Sequence, residues 1–226
     1  MIKENISKIK QRIERAAEKS GQNIEDIRIV CVTKYAQVTH IQEVIQEGIL
    51  DLGENRLQEA FEKIEALKEY SLRWHLVGHL QSNKVKKAVR NFELIHSLDS
   101  LKLALLIDKE AAKINKIQRV LIQVNTQGQG GTFGLLEEEV QPLLEKIKSL
   151  NSLEVYGLMT IAPLAQTSEE SRSYFRKLRE LKIRLEKEVE GIKLPILSMG
   201  MSQDFEVAVE EGANMLRIGR AIFEGS

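Results

Sequence analysis

One lysine occupies a position suited to amine chemistry. Lys34 directly follows residues 28–33, a short apolar segment typical of a buried strand. At such a strand end, packing can fix the aliphatic stem, and partial desolvation of the amine lowers its pKa and favours Schiff-base formation with a carbonyl. The alternative is a lysine whose ammonium reaches solvent. The position is compatible with both.

Two glycine-containing segments near the end of the chain are candidates for an anion site. Residues 198–202 join an apolar segment to a helical one, and residues 217–220 follow the last apolar segment. Gly200 and Gly219 allow close backbone approach, and free N–H groups at a helix start bind phosphate. The alternative is that both are ordinary turn glycines and that Arg217 is a solvated or ion-paired arginine.

A further candidate segment is Gly53–Arg56. Asn55 could donate a hydrogen bond to a ligand oxygen, with Glu54 and Arg56 as a supporting ion pair. A helix N-cap flanked by surface charges explains the same residues equally well.

The histidines do not indicate a metal site. His75 and His79 lie four residues apart, but their segment is strand-like, so they would not share a helical face as zinc ligands do. No cysteine or carboxylate cluster completes a ligand set, and we expect no metal. His40 and His96 have no partner recognisable from the sequence.

Eight apolar segments alternate with amphipathic helical segments. The predicted strands are 28–33, 49–53, 73–78, 93–97, 119–125, 153–159, 195–199 and 213–219. The predicted helices are 2–20, 39–47, 56–69, 82–91, 100–113, 136–150, 168–190 and 203–211, with N-caps at Thr39, Ser100 and Ser168. This alternation predicts an α/β fold with a parallel sheet. Eight units favour a single closed (β/α)8 TIM-type barrel, spanning residues 1–226, over an open doubly wound sheet.

The barrel prediction places the candidate residues together. Ligand chemistry in this fold occurs at the carboxyl ends of the strands, where Lys34, Asn55 and both glycine segments would lie. Only seven residues follow the eighth predicted strand, so we expect the extra N-terminal helix to fill the place of a closing helix.

Composition excludes several classes of protein. The 226 residues include 33 Lys+Arg and 33 Asp+Glu, and zero net charge argues against non-specific nucleic-acid binding. No apolar run approaches a membrane span, and the charged N-terminus is unlike a signal peptide. Cys31 is the one cysteine, which predicts a reduced, cytoplasmic protein. The charge balance and the absence of a long apolar run predict no nucleic-acid and no membrane partner.

Seven motifs in one order complete the pattern. They are Val32–Lys34, Gly53–Arg56, Trp74–Lys84, His96–Ser100, Gly157–Thr160, Leu197–Ser202, and Arg217–Gly219 with Ala221–Phe223. Together they resemble the motifs of the pyridoxal-phosphate homeostasis (YggS/PROSC) family across essentially the whole chain. The sequence departs from the family pattern at Thr132, Arg220 and Glu224, where lysine, a small hydroxyl residue and glycine are usual.

The resemblance implies a barrel like the alanine racemase N-terminal domain, a type III pyridoxal-phosphate fold. It implies that Lys34 carries pyridoxal 5'-phosphate as an internal aldimine and that the phosphate lies at the two glycine segments. It also implies that Asn55 and Met159 line the ring, with Arg217 near the ring or the phosphate. The cofactor-binding residues expected on this basis are Lys34, Asn55, Met159, Ser198, Gly200, Met201, Arg217, Gly219 and Arg220.

The family's role implies a binding protein for intracellular pyridoxal-phosphate homeostasis that could serve cofactor-accepting apoenzymes. The expected lack of a second domain and of an obvious apolar contact stripe favours a monomer. Racemisation needs two acid/base groups on opposite faces of a carbon. In alanine racemase the second comes from another domain of a dimer partner, for which 226 residues leave no room, so we expect no robust catalysis. The alternatives are a small pyridoxal-phosphate-dependent racemase or lyase, and a Schiff-base aldolase-type barrel without cofactor.

Overall fold

Eight parallel strands close into a barrel in which β8 pairs with β1. The computed structural model describes residues 1–128, 133–164 and 166–225. The strands are β1 Arg28–Val32, β2 Asp51–Glu54, β3 Arg73–Leu76, β4 Leu94–Leu98, β5 Gln118–Gln123, β6 Leu153–Met159, β7 Ile196–Ser198 and β8 Met215–Ile218. All eight predicted strands and the closed (β/α)8 architecture are confirmed.

Helices follow the strands in the predicted order. They are α1 Ile2–Ser20, α2 Val38–Gln46, α3 Leu57–Ala66, α4 Val85–Asn91, α5 Leu101–Ala112, α6 Glu137–Ile147, α7 Arg172–Glu188, α8 Phe205–Glu210 and α9 Arg220–Phe223. Single 3₁₀ turns lie at Ile24–Asp26, Ser82–Lys84 and Ser168–Ser171. Within the described residues, none of these helices is both long enough and apolar enough to span a membrane.

Two of the three predicted N-caps are misplaced. Ser100 is confirmed, since its hydroxyl accepts the N–H of Leu103. Thr39 is wrong, because α2 already begins at Val38. Ser168 is wrong by one residue, because Thr167 is the N-cap of the 3₁₀ turn and its N–H donates to Glu170 Oε1 at 3.2 Å. Neighbouring hydroxyl and amide residues compete for such positions, so composition alone does not resolve a single residue.

The N-terminal helix fills the predicted gap. α1 packs against α2, α8 and α9. It buries Ile2, Ile6, Ile9 and Ile13, whose spacing of three and four residues forms one apolar stripe. Asn5 Nδ2 also donates to the carbonyls of Ile222 and Glu224, which joins the start of the chain to its end.

Side chains alternate between two apolar layers. Most of the core lies between the strands and the surrounding helices. A smaller cluster fills the barrel interior, formed by Val30, Val32, Val77, Leu94, Leu121, Met159, Ile196 and Met215. Strands buried on both faces explain the near-continuous apolar segments of the sequence. Polar residues an even number of positions from an inner-cluster residue on the same strand therefore also face the barrel interior.

Candidate functional site

A cavity of about 610 Å³ lies at the carboxyl ends of β1, β2, β3 and β8, within the size range of small-molecule sites. Six of the nine predicted cofactor residues line it. They are Lys34, Asn55, Met201, Arg217, Gly219 and Arg220. The barrel closure therefore brings together residues from both ends of the chain, as the strand-end argument predicts.

Lys34 lies in a turn immediately beyond β1. The N–H of Ala36 donates to the Thr33 carbonyl at 2.9 Å, and Tyr35 has a φ of 67°, in the left-handed region. Lys34 is exposed, which favours the alternative in which its ammonium reaches solvent over the desolvated amine. The strand ends two residues earlier, and the turn directs the chain away from the packed barrel interior. Lys34 is nevertheless one of the residues that line the cavity.

A buried ion pair supports this turn. Glu54 is fully buried, and its Oε1 accepts from Lys63 Nζ and from Thr33 Oγ1, each at 2.6 Å. Lys63 Nζ also donates to the Thr33 carbonyl at 2.7 Å. The pairing of Glu54 with Arg56 expected from the sequence is wrong. Glu54 is buried between the end of β2 and α3, where it meets Lys63, whereas Arg56 is exposed and lies near Glu59.

The two glycine segments form one continuous wall. The Arg217 N–H donates to the Gly200 carbonyl at 3.0 Å, and the Ala221 N–H donates to Ser202 Oγ at 3.1 Å. Gly200 has a φ of 89°, and a Cβ there would lie 2.5 Å from the Ala208 methyl carbon. Gly200 is thus required by both backbone conformation and packing.

Three predicted cofactor residues are not among those that line the cavity. Met159 is fully buried in the inner apolar cluster, one layer below. Ser198 Oγ is occupied by Arg217 Nη1 at 2.7 Å and by His96 Nδ1 at 3.1 Å. Gly200 contributes its carbonyl to the wall and has no side chain to present. These residues support the cavity from beneath.

Arg217 is the buried cation of the cavity. It is 4% exposed, and Nη2 donates to the Thr160 carbonyl at 2.8 Å. Burial lowers the pKa of its guanidinium to about 10, opposed by the nearby Asp204 carboxylate, so it remains charged at neutral pH.

The cavity is electropositive although the chain is neutral. Its described lining contains four cationic side chains, Arg12, Lys34, Arg217 and Arg220, against one carboxylate. That carboxylate, Asp204, is occupied by the Met201 N–H at 2.7 Å and by Ser171 Oγ at 3.1 Å.

Sequence reasoning missed the buried histidines. His75 and His96 lie on the inner faces of β3 and β4, with ring nitrogens 3.1 Å apart. Each lies two residues from an inward apolar residue, Val77 and Leu94 respectively, and this alternation was the available signal. Within the described ranges, no group of three or more His, Cys, Asp or Glu side chains could hold a metal ion. Thr132, one departure from the family pattern, lies outside the described residues.

Comparisons with known proteins identify relatives of this chain. The family model described as alanine racemase, N-terminal domain, matches residues 4–226. The Pyridoxal phosphate homeostasis protein of Aquifex aeolicus is 44% identical over 97% of this chain and 96% of its own length. PipY of Synechococcus elongatus, solved with PLP (pyridoxal phosphate) bound, is 32% identical with a TM-score of 0.88, covering 99% of this chain and 100% of that one.

The likeness to alanine racemase itself concerns the fold. The Clostridium difficile enzyme is 17% identical with a TM-score of 0.77, and the match covers 98% of this chain and 56% of that one. The match to the family model and the identity to the Aquifex relative together show that this chain belongs to the pyridoxal phosphate homeostasis protein family, within the alanine racemase N-terminal domain family.

Proposed function

We propose that this chain binds pyridoxal phosphate in the cavity at the barrel mouth and serves pyridoxal-phosphate homeostasis. One observation carries the proposal: a chain of zero net charge places four cations, of which Arg12 is paired with Glu206, and one carboxylate around a single cavity. Such a site favours a small dianion. The bound PLP in the PipY structure and the names of the relatives support the choice of ligand.

The residues present fit the groups of that ligand. A phosphate needs cations and hydrogen-bond donors, which Arg220, Ser202 and Gly219 in the cavity lining can offer. An aromatic ring needs apolar surface, and Val32 and Val77 supply it in the same cavity. Arg217 adds a buried positive charge beside them.

Lys34 is the proposed covalent anchor. When bound, pyridoxal phosphate supplies an aldehyde with which a primary amine condenses with loss of water. Lys34 presents the amine, while Lys63 and Glu54 hold the Thr33 carbonyl next to it. The chain thereby keeps the Lys34 backbone fixed while leaving its side chain accessible.

Accessibility favours holding and releasing the cofactor over turnover. Lys34 is exposed, and Tyr35 and Leu164 at the rim are 86% and 91% exposed. An open site admits water and competing amines, which suits delivery to cofactor-accepting apoenzymes better than controlled proton transfer. A racemase or lyase using the same residues is the alternative. Sustained racemisation of an amino acid by the pure protein would establish it.

We further propose that the protein is a cytoplasmic monomer. Cys31 is fully buried, and burial raises the pKa of its thiol, which supports a reduced, unlinked chain. Sedimentation equilibrium at micromolar concentration tests the monomer, and a second species of twice the mass would refute it.

A paired titration tests the binding site. The protein is titrated with pyridoxal phosphate and, separately, with pyridoxal, and binding is followed by visible absorbance. We expect Arg220→Ala to weaken pyridoxal phosphate by roughly fivefold, the scale of an exposed charge pair, and to leave pyridoxal unchanged. Lys109→Ala, an exposed lysine on α5, is the control. Equal losses for both ligands would refute the phosphate assignment, and no binding of either would refute the function.

A further inference from the structure

A chain of hydrogen bonds crosses the barrel interior from its amino end to the cavity. His75 Nε2 lies 2.9 Å from Asp51 Oδ1, and His75 Nδ1 lies 3.1 Å from His96 Nε2. His96 Nδ1 lies 3.1 Å from Ser198 Oγ, which accepts from Arg217 Nη1 at 2.7 Å. The five residues come from β2, β3, β4, β7 and β8, and only Arg217 lines the cavity.

The residues at the two ends of this hydrogen-bond series, Arg217 and Asp51, determine the proton positions between them. Arg217 can only donate, so Ser198 Oγ accepts from it and the hydroxyl proton is available for His96 Nδ1. A carboxylate can only accept, so His75 Nε2 donates to Asp51.

With neutral rings, the remaining assignment is unique. His75 Nδ1 then carries a lone pair and accepts from the Nε2–H of His96. The His96 Nδ1 is left as the acceptor that Ser198 requires. Reasoning from Arg217 and reasoning from Asp51 thus give the same result. Both histidines are Nε2–H tautomers, and every hydrogen bond is donated in the direction of Asp51.

Burial favours a neutral ring at His96. His96 is completely buried, and burial lowers its pKa well below the usual range, with His75 and Arg217 adding to the effect. Burial alone would raise the pKa of Asp51, but hydrogen bonds from Arg73 and His75 outweigh it and hold the pKa well below its usual range. The interior therefore contains an anion at one end, a cation at the other and the uncharged imidazole of His96 between them.

We infer that His75 and His96 are positioning residues. Their neutral rings form a histidine relay in which every hydrogen bond is donated towards Asp51. The relay leaves a lone pair of Ser198 Oγ to accept from Arg217 and so fixes the guanidinium at the cavity. Without His96, the Ser198 hydroxyl loses its acceptor and can rotate away from that arrangement. The link from Arg217 to pyridoxal phosphate rests on the proposed function, whereas the proton arrangement does not.

The proton arrangement is tested by ¹⁵N NMR of the histidine side chains in the protein without added ligand near neutral pH. We expect His75 and His96 both to be neutral Nε2–H tautomers. An imidazolium or an Nδ1–H tautomer at either residue would overturn the assignment. His40→Gln and His79→Gln identify the two remaining histidine signals by their loss.

The positioning role is tested by pyridoxal-phosphate affinity in variants of His96. Glutamine supplies one donor and one acceptor, as the neutral ring does, whereas leucine supplies neither. We expect His96→Leu to weaken binding by roughly tenfold or more, the scale of one hydrogen bond to a charged group, and His96→Gln to restore most of the affinity. His40→Leu on α2 is the matched control.

The outcomes separate the two proposals. If the unmodified protein does not bind pyridoxal phosphate, the proposed function fails and the tautomer result still decides the relay. If it binds and His96→Leu binds equally well, the positioning role is overturned. If His96→Leu does not fold, His75→Gln replaces it. Retained pyridoxal-phosphate binding with an Nε2–H tautomer at His96 supports the relay. Retained binding with a different His96 tautomer refutes it.

Discussion

Removing the ammonium of Lys63 should destabilise the protein strongly. The Lys63 and Glu54 side chains are 12% and 0% exposed, with Nζ and Oε1 2.6 Å apart. At an effective dielectric constant of about 20, unit charges at that separation attract by roughly 6 kcal/mol. Part of this offsets desolvation, and breaking one side of a buried pair typically costs about 3–5 kcal/mol. Lys63→Met should therefore lose a large share of the total stability.

The orphaned carboxylate explains the size of the loss. Glu54 Oε2 is buried and has no hydrogen-bond partner among the described residues, so Oε1 makes the stabilising contacts. Without Lys63, the contact from Thr33 Oγ1 remains, which is insufficient for a buried charge. Removing the charge should therefore recover stability: Glu54→Gln in the Lys63→Met background should bring the free energy of unfolding to within about 1–2 kcal/mol of the original.

Urea unfolding measures both effects. Trp74, the one tryptophan, is 7% exposed and reports global unfolding by fluorescence. Lys68→Met is the matched control, because its ammonium pairs with the exposed Glu65 and its loss should leave the unfolding midpoint unchanged. A loss below about 1 kcal/mol for Lys63→Met would show a pair no stronger than a surface one. The same conclusion would follow if Glu54→Gln gave no recovery.

Three further variants test other features. Tyr35→Gly should be slightly more stable to heat than Tyr35→Ala, because glycine adopts a φ of 67° without strain. Equal melting temperatures would contradict backbone strain at this position. Gly200→Ala should cost at least about 1–2 kcal/mol in urea unfolding. It should cost more than Gly191→Ala, which shares a positive φ but has open space where Gly200 meets Ala208. Asp51 has a lowered pKa, so its stabilisation is complete above about pH 3.9 and lost as the pH falls below that value. Asp51→Asn should flatten acid unfolding in that range, and an unchanged acid profile would contradict it.

The fold was predictable because each strand carries its own signal. Segments such as 119–125 and 153–159 are largely apolar and are flanked by amphipathic helical segments. Eight such segments indicate a closed barrel. The site followed from the same argument, because carboxyl ends of parallel strands meet at one face. Lys34 and Arg217, far apart in sequence, consequently line the same cavity.

Side-chain partners were not predictable in the same way. The nearest cation to Glu54 in sequence is Arg56, yet its partner is Lys63, nine residues away on α3. Strand direction and helix packing decide that choice, and neither is visible in local spacing. The exposure of Lys34 likewise depends on where β1 ends, and strand ends are less certain than strand existence.

The histidine relay was hidden for a different reason. Its members come from five strands. Each contact depends on the strand register, which decides which inward-facing residues of the barrel lie side by side. Alternation could have assigned His75 and His96 to the interior, but the meeting of their ring nitrogens needs the register between β3 and β4.

The most direct test of the account is to trap and locate the bound cofactor. The protein is mixed with pyridoxal phosphate, reduced with borohydride, digested and analysed by peptide mass spectrometry, alongside Lys34→Ala and the control Lys109→Ala. We predict a yellow protein that bleaches on reduction and one modified peptide, with the added mass on Lys34 and the control unchanged. A colourless mixture, or an adduct that forms equally well in Lys34→Ala, would contradict the central claim.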